Sequence, residues 1–333
     1  KKIALFSLLS FGLAACLWHT STEQKTVLLN VSYDVIRDFY KEYNIAFQRE
    51  FPSDVMISQS HGGASKQVLS VLNGLPADVT LTQSNDIDAL VKKGLVNADW
   101  QQVLPNGAVP FGSVMVLLVK KGNPKHIQDW SDLVRDDVKV VFANPKTSAN
   151  GRFAYLSALA YAEQHSDKPQ DFMLRLLRNV PVLEAGARSA SISFTQRNIG
   201  DVLIAPENEA ALAAKTLGEN SFEVVYPSIT AYTPIYVAEV NKNTQADGLH
   251  QLSHDYLSYL WSPQAQELAA QNYFRPTDKK IIAKTTALFP EVNQFDVNQR
   301  LGSWDTINTK HFVDNGLFDR LYVSAQRADK VNK

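Results

Sequence analysis

Apolar residues recur along the first hundred positions in short runs that alternate with stretches of helical period. The runs predict strands and the periodic stretches predict helices. In chain order, these elements are a strand at Thr26–Val31, a helix with Val35, Phe39 and Phe47 on its apolar face, a strand at Asp54–Ser58, a helix at Lys66–Leu72, a strand at Ala77–Leu81 and a helix at Ile87–Lys93. Such alternation is typical of an α/β sheet with mostly parallel strands, which binds ligands at the carboxyl ends of its strands.

A second α/β unit follows a strongly apolar strand at Val114–Val119. Further strands are predicted at Val138–Phe142, Asp201–Ala205 and Phe222–Tyr226, with a helix at Phe153–Glu163, a return strand at Thr233–Glu239 and a helix at Leu249–Tyr273 that restarts at Ser262-Pro263. A chain of 333 residues is long enough for two cores. We therefore predict lobe I from residues 26–112 and 236–333, lobe II from residues 113–235, and a ligand cleft between them.

The composition and charge of the chain argue against one class of function, nucleic-acid binding. The chain is 45% hydrophobic and 20% charged, as in an ordinary globular protein, and its net charge is −1. Because no basic excess is present, we do not expect a nucleic-acid partner.

The N-terminus has the pattern of an export signal. Lys1-Lys2 precedes the apolar run Ile3–Leu13, which is too short to span a bilayer comfortably. We assign residues 1–16 to this signal and expect a periplasmic protein. The alternative, a buried N-terminal helix, is disfavoured because the run has no polar face.

Cys16 is the only cysteine in the chain. Leu13-Ala14-Ala15-Cys16 resembles a bacterial lipobox, which implies lipid attachment to this thiol and a membrane anchor. Ordinary cleavage near this point is the alternative. Without another thiol, the rest of the chain has no disulfide and no cysteine-based site.

Three turns carry glycine, serine and lysine where strands lead into helices: Ser60–Lys66, Asn144–Arg152 and Gly186–Ser189. Helix N-termini present unpaired N–H groups and a partial positive charge, so they bind anions readily. Three such turns in one cleft predict an oxyanion site that needs few ionic side chains.

Six short motifs of the chain resemble those of the sulfate/thiosulfate-binding proteins of bacterial ABC importers. The matching pieces, in order, are Leu29–Asp34, Gln59–Gly63, Lys120–Lys125, Asn144–Ser148, Ile199–Ile204 and Ser262–Gln266. The resemblance implies the two-lobe periplasmic-binding-protein type II fold, with hinge crossovers between the lobes. It also implies a receptor that delivers sulfate or thiosulfate to an inner-membrane permease. We expect a monomer that is not an enzyme and uses no cofactor or metal.

The same resemblance implies how the anion is bound. A dehydrated dianion is held mainly by backbone N–H groups, which carry over by motif to Asp34, Ser60, Ala149, Asn150 and Ala187. A hydroxyl donor carries over to Ser148, for which a plain helix cap is the alternative. One supporting position also carries over, since Arg188 resembles the family arginine that braces the binding peptide. From its local sequence alone, we interpret His61 as a structural turn residue.

Two departures from the family pattern bear on the ligand. Glycine and alanine are exchanged around Asn150, so Ala149 is suitable only if its φ is negative. Pro206 stands where sulfate binders have a tryptophan whose indole N–H contacts the anion, and proline donates nothing there. Thiosulfate-binding relatives also lack that tryptophan, which favours thiosulfate, alone or beside sulfate.

A site made only of donors also predicts weak phosphate binding. Hydrogen phosphate carries a proton that needs an acceptor, whereas sulfate and thiosulfate carry none at neutral pH. The exception would be a carboxylate of Asp34 that faces the anion.

The main alternative is an exported hydrolase or transferase acting on a sulfur or phosphorus ester, and a sensor or adhesin that no longer transports is another. A hydrolase needs a nucleophile and a base within reach of each other. Ser60-His61 is a poor candidate, since adjacent side chains in an extended segment point apart. Glu207 and Glu209 suit the first turn of a helix. His250 and His254 lack an acidic partner that would complete a metal signature.

Overall fold

Strands and helices alternate through the computed structural model, which describes residues 26–217 and 221–331. The strands are β1 (Val27–Tyr33), β2 (Met56–Gly62), β3 (Val79–Thr82), β4 (Phe111–Lys120), β5 (Val140–Ala143), β6 (Leu183–Glu184), β7 (Val202–Pro206), β8 (Phe222–Val225), β9 (Thr230–Glu239), β10 (Arg275–Pro276) and β11 (Gln294–Phe295). The α/β class predicted from the alternation is confirmed.

The helices are α1 (Arg37–Glu50), α2 (Ala64–Leu72), α3 (Ser84–Lys92), the single turn α4 (Pro105–Ala108), α5 (Ala149–His165), α6 (Pro169–Arg178), α7 (Ala187–Thr195), α8 (Glu207–Thr216), α9 (Asn241–Asp247), α10 (His250–Ser258), α11 (Pro263–Gln271), α12 (Lys279–Lys284), α13 (Val297–Leu301), α14 (Trp304–Ile307) and α15 (Leu317–Val331). Short 3₁₀ or π turns span Asp34–Ile36, Trp130–Val134, Tyr259–Trp261 and Asn308–Phe312.

The strands form one curled sheet in the order β2-β1-β3-β9-β4-β7-β5-β6. At one end β1 pairs in parallel with β2 and β3, and at the other β5 pairs in parallel with β6 and β7. Between these ends, β9 and β4 run antiparallel to each other and to their outer neighbours β3 and β7. The two long strands therefore connect the two α/β ends of the sheet.

Strand β4 contributes to separate hydrophobic clusters along its length. Phe111 packs in the first cluster with Phe39 and Phe274, whereas Met115 packs in the second cluster with Trp130. Val114, which points to the opposite face of the strand, belongs to a third cluster. The core is thus divided between the two ends of the sheet, with β4 crossing from one to the other.

The packing of the chain's last part differs from the predicted lobe boundary. We define residues 297–325 as the C-terminal segment, which was predicted with lobe I. Its Trp304 and Phe318 instead belong to the second cluster, where their rings lie 5.6 Å from Phe153 and 5.7 Å from Tyr155 of α5. The short helices after Asp278 escaped prediction because this region has no long apolar period.

Several predicted boundaries differ by one helical turn. Helix α5 begins at Ala149 rather than Phe153, and α3 begins at Ser84 rather than Ile87. Strand β2 extends to Gly62, so Ser60 and His61 lie in a strand rather than in the predicted turn. The early helix starts place the first-turn N–H groups within the turn motifs themselves.

The predicted export signal and Cys16 lie outside the described residues. Within residues 26–217 and 221–331, no helix combines the length and the apolar character that crossing a membrane requires.

Candidate functional site

Four helical N-termini follow the carboxyl ends of strands. The 3₁₀ turn at Asp34 follows β1, α2 follows β2, α5 follows β5, and α7 follows β6. The first N–H groups of each helix have no partner within that helix. Asp34, Ala149, Asn150 and Ala187 all occupy the first or second position of such a helix.

Ser148 is the N-cap of α5 and is 3% exposed. Its Oγ accepts the N–H of Gly151 at 3.2 Å, which satisfies one donor of the first turn. A hydroxyl that accepts in this way retains its own hydrogen as a donor. Capping and anion binding are therefore compatible roles for Ser148.

The exchange of glycine and alanine beside Asn150 has a steric reason. A Cβ atom on Gly151 would overlap the carbonyl oxygen of Ala143, so only glycine fits where α5 passes the end of β5. Ala149 is the first residue of α5 and is not among the residues with positive φ. The strain that an alanine would suffer at positive φ does not arise.

Gly63, the N-cap of α2, lies against two loops of lobe II. A Cβ atom at this position would be 3.0 Å from the Thr147 carbonyl oxygen and 3.3 Å from that of Ala185. The Thr147 hydroxyl in turn donates to the Ala185 carbonyl at 2.9 Å. The turns that precede α2, α5 and α7 thus meet at one place.

Asp34 reaches across to the N-terminus of α7. A Cβ atom on Gly186 would overlap its carboxylate, which accepts the backbone N–H of Arg188. Burial raises the pKa of Asp34, and hydrogen bonds from this N–H and from those of Asp34 and Val35 oppose the rise. The carboxylate therefore lies beside Ala187 and is held by backbone donors.

Ser60 is half-buried on β2, the edge strand of the sheet. Its Oγ accepts the side-chain amide of Gln67 at 3.0 Å, and that amide also donates to the Ser32 carbonyl at 3.2 Å. Alternate N–H groups of an edge strand point away from the sheet. Gln67 thus joins the ends of β1 and β2 beside the first turn of α2.

Arg152 and Arg188, from the region predicted as lobe II, each contact a carboxylate from the region predicted as lobe I. The Arg152 guanidinium is 3.2 Å from the Asp86 carboxylate and donates to Gln83 Oε1 at 2.8 Å. Arg188 forms two hydrogen bonds with Glu209, at 2.8 and 2.9 Å, and one with Asp38 at 3.0 Å. These ion pairs flank the meeting loops on both sides.

Arg188 thus contacts two carboxylates at the start of α7. Glu209 is 2% exposed, and burial raises its pKa even though the charge of Arg188 opposes the rise. For Arg188, burial lowers the pKa, but its two acidic partners more than offset this, so the net shift is upward. The guanidinium thus remains charged beside the first turn of α7.

His61 does not contact Ser60 as a general base would. Its Nε2 lies 2.8 Å from Gln59 Oε1, and burial lowers the pKa of His61 to about 4. The imidazole is therefore neutral at pH 7. No serine–histidine pair forms at this position.

Glu207 and Glu209 are separately engaged. Arg275 donates to both oxygens of Glu207, at 2.6 and 2.9 Å, and the Tyr226 hydroxyl donates to it at 2.7 Å. Since Glu209 is bound by Arg188, neither carboxylate is free to act as half of an acid–base pair. Pro206 ends β7 and caps α8 without supplying a donor, as predicted.

His250 and His254 have other partners on α10 and β9. His250 Nδ1 lies 2.7 Å from Glu239 Oε1, and His254 Nε2 lies 3.3 Å from the Ser258 hydroxyl. In the part of the chain that the structure describes, no three metal-ligating side chains are grouped closely enough to hold an ion.

The sequence motifs did not identify Asp38, Asp86 or Gln83 as parts of this region, and they included Gly63 without predicting its contacts. Gly63 was visible as part of a glycine pair, but its contacts depend on loops more than eighty residues away. The acidic partners carried no local signal, because each meets its arginine only in the folded chain.

The chain is similar to known bacterial solute-binding proteins. A family model described as a bacterial extracellular solute-binding protein matches residues 28–275. The thiosulfate-binding protein of Pseudomonas aeruginosa is 46% identical over 331 residues, which covers 97% of this chain and 99% of that protein. The sulfate-binding protein of Escherichia coli is 43% identical over 320 residues, which covers 93% of this chain and 97% of that protein.

A solved structure of the sulfate-binding protein SubI from Mycobacterium tuberculosis is also similar. It has a TM-score of 0.77 and 30% sequence identity, and the match covers 86% of this chain and 100% of that one. The match includes both ends of the curled sheet and supports the fold that the loop motifs implied.

Proposed function

Because this chain belongs to the sulfate/thiosulfate-binding proteins within the bacterial extracellular solute-binding family, we propose that it is the receptor of an ABC importer. In this proposal the protein binds sulfate, thiosulfate or both outside the cytoplasm and delivers the anion to an inner-membrane permease. It acts as a monomer in the periplasm, with a lipid anchor if Cys16 is modified.

The proposed site uses backbone N–H groups of Asp34, Ser60, Ala149, Asn150 and Ala187 and the hydroxyl of Ser148. Four of the five backbone donors occupy the first or second position of a helix, where N–H groups lack helical partners. Hydrogen bonds to a charged partner contribute roughly 1.5–3 kcal/mol each, and micromolar binding needs about 8 kcal/mol. Six donors are therefore sufficient for micromolar binding, even though closure and ordering of the site cost several kcal/mol.

The approach of Gly63 to Thr147 and Ala185 is the observation that carries this proposal. It joins the first turn of α2, from lobe I, to the two lobe II loops that precede α5 and α7. An anion bound among these turns would receive donors from both lobes. Binding would then favour the closed arrangement, which a permease can distinguish from an open one.

In this proposal β4 and β9 form the hinge between the lobes. Both strands run from one end of the sheet to the other, and β4 contributes to the cores of both. The C-terminal segment moves with lobe II, since its apolar side chains pack in the second cluster. Of the residues from 236 onward that were predicted for lobe I, only those before Val297 then belong to it.

Pro206 favours thiosulfate, alone or beside sulfate. It supplies no hydrogen-bond donor at the end of β7, so the site has one donor fewer than a sulfate site with tryptophan there. A sulfur atom is larger than oxygen and a weaker acceptor, so a position without a donor suits the terminal sulfur of thiosulfate.

The contacts of Glu207, Glu209 and His61 favour binding over hydrolysis. Each carboxylate is bound by an arginine, and the imidazole contacts Gln59 rather than Ser60. A hydrolase would need at least one such group directed at a nucleophile.

Calorimetric titration with sulfate, thiosulfate, molybdate and phosphate tests the proposal. We expect micromolar or tighter binding of sulfate or thiosulfate and much weaker binding of phosphate. A parallel thermal-shift assay with turnover monitoring should show stabilisation without product. Failure to bind any of the four anions, or turnover of an ester substrate, would contradict the proposal.

A further inference from the structure

We propose that Lys146 is a positioning residue, through which the C-terminal segment holds the anion-binding turn in shape. The inference rests on the proposed function, since it concerns the turn that presents Ser148, Ala149 and Asn150. It assigns a role in binding to Asp319 and Asp314, which lie far along the chain from the predicted donors.

The turn at residues 144–148 is internally bonded. Asn144 Oδ1 accepts the N–H of Lys146 at 2.9 Å, and the Asn144 carbonyl accepts the N–H of Ser148 at 2.9 Å. These bonds fix the backbone path into α5. They leave the side chain of Lys146 outside the turn, where it contacts the C-terminal segment.

Lys146 Nζ donates to Asp319 Oδ2 at 2.9 Å and to Asp314 Oδ1 at 3.1 Å. Burial lowers the pKa of Lys146, but its bonds to the two aspartates more than offset this, so the net shift is upward. The ammonium group is therefore charged and bridges two carboxylates. The two aspartates lie on either side of the start of α15.

Asp319 is the more firmly held of the two partners. Its Oδ2 also accepts the N–H of Asn315 at 2.9 Å, and its side chain is 29% exposed. The Asp314 side chain is fully exposed, so water screens its contribution. The neighbouring Phe318 is buried in the second cluster, which fixes the first turn of α15.

The C-terminal segment also holds α5 itself. The Tyr155 hydroxyl lies 3.1 Å from His311 Nδ1, and the Phe153 ring packs edge-on against Trp304. Lys146 extends this support to the turn before α5. A turn held in its bound shape loses less conformational entropy when the anion arrives, and affinity rises accordingly.

A simpler explanation is that Lys146 attracts the dianion through space. The two explanations predict opposite effects for Asp319→Asn. If only long-range attraction matters, removal of a negative charge near the site should tighten binding. If Lys146 positions the turn, loss of its best-held partner should weaken binding.

The test compares thiosulfate and sulfate affinities, measured by calorimetry, for the full chain and its variants Asp319→Asn, Lys146→Met and Lys146→Arg. We expect about 3- to 5-fold weaker binding for the first two, given the modest strength of partly exposed ion pairs. Lys146→Arg should restore affinity to within about 2-fold, because arginine can bind the same carboxylates. Lys125→Met is the matched control, since Lys125 pairs with Asp137 at 3.6 Å on the surface of the same lobe.

Thermal melting of each variant separates binding from folding. If Asp319→Asn proves unstable, Asp314→Asn decides the question, because through-space attraction again predicts tighter binding for this variant and the positioning role does not. Tighter or unchanged anion binding by Asp319→Asn, or no rescue by Lys146→Arg, overturns the positioning role. Provided that the wild-type chain binds the anion, such a result leaves the proposed function intact. A wild-type chain that binds neither anion would refute the proposed function, and the inference with it.

Discussion

The Arg152 guanidinium of α5 lies 3.2 Å from the Asp86 carboxylate of α3, and both side chains are less than a tenth exposed. This ion pair joins elements assigned to different lobes. Arg152 also donates to Gln83, so it contacts the N-terminal end of α3 at two places. The pair therefore forms only when the two α/β ends of the sheet are close together.

We predict that Asp86→Asn weakens anion binding more than it lowers stability. In a closed protein the substitution leaves the charge of Arg152 buried without its partner, which costs about 3–5 kcal/mol for a fully buried pair. In an open protein water solvates Arg152, so the free energy cost of its missing partner arises mainly when the lobes close. Calorimetry should show at least a 10-fold loss of affinity.

Lys41, which pairs with Asp38 at 3.0 Å on the exposed face of α1, provides a control. Lys41→Met should leave the affinity nearly unchanged, because exposed pairs contribute little. Equal affinities for Asp86→Asn and the wild type would show that the buried pair has no part in closure.

Ser148→Ala should weaken the preferred anion by roughly 1–3 kcal/mol, the contribution of one hydrogen bond to a charged partner. The substitution also removes the helix cap, so part of its effect is on stability. Ser262 provides a matched control, because its Oγ caps α11 by accepting the N–H of Ala265 at 3.2 Å, the distance found for Ser148 and Gly151.

Both variants should lose about 1 kcal/mol of unfolding free energy. Only Ser148→Ala should also lose affinity in calorimetry. Identical affinities for the two variants would reduce Ser148 to a capping residue.

Gly63→Ala is expected to weaken binding with little effect on the melting temperature. The added Cβ would lie 3.0 Å from the Thr147 carbonyl oxygen, tighter than nine in ten real Cβ contacts, so the loops would have to shift by a few tenths of an ångström to close. Gly62→Ala is the control at the adjacent position, where the nearest atom is 3.5 Å away on the side chain of Gln67. Comparable affinities for the two variants would indicate that the contact at Gly63 is not part of closure.

Acid should destabilise the protein partly through His61. Because burial lowers its pKa to about 4 from the usual value near 6.5, the unfolded chain binds a proton at pH 5 that the folded chain does not. The stabilisation of the folded protein by neutral His61 is therefore complete above pH 6.5 and is lost as the pH falls towards 4. Urea unfolding should show that the free energy of unfolding falls less between pH 7 and pH 5 for His61→Gln than for the wild type. Equal losses would remove His61 from the acid response.

The loop motifs predicted turns close to where the structure begins helices. Ser148, Ala149 and Ala187 lie at helix starts because their local sequences resemble helix N-termini, which is a short-range signal. The start of α5 was placed too late because Asn150 and Gly151 have low helix propensity. In the folded chain their burial against the end of β5 outweighs that propensity.

Long-range pairings could not be predicted in the same way. Asp86 and Arg152 are 66 residues apart, and nothing in the sequence near either residue indicates the other. The packing partners of the C-terminal segment likewise had no signal in the sequence, because its short helices show no extended apolar period. Its Trp304 and Phe318 find their partners on α5, which only the folded chain reveals.

The most direct test of the central claim is a crystal structure of the protein with thiosulfate or sulfate. We predict one anion between the lobes, within hydrogen-bonding distance of backbone N–H groups at Asp34, Ala149 and Ala187 and of the Ser148 hydroxyl. An anion bound elsewhere, or coordinated mainly by lysine and arginine side chains, would contradict the account.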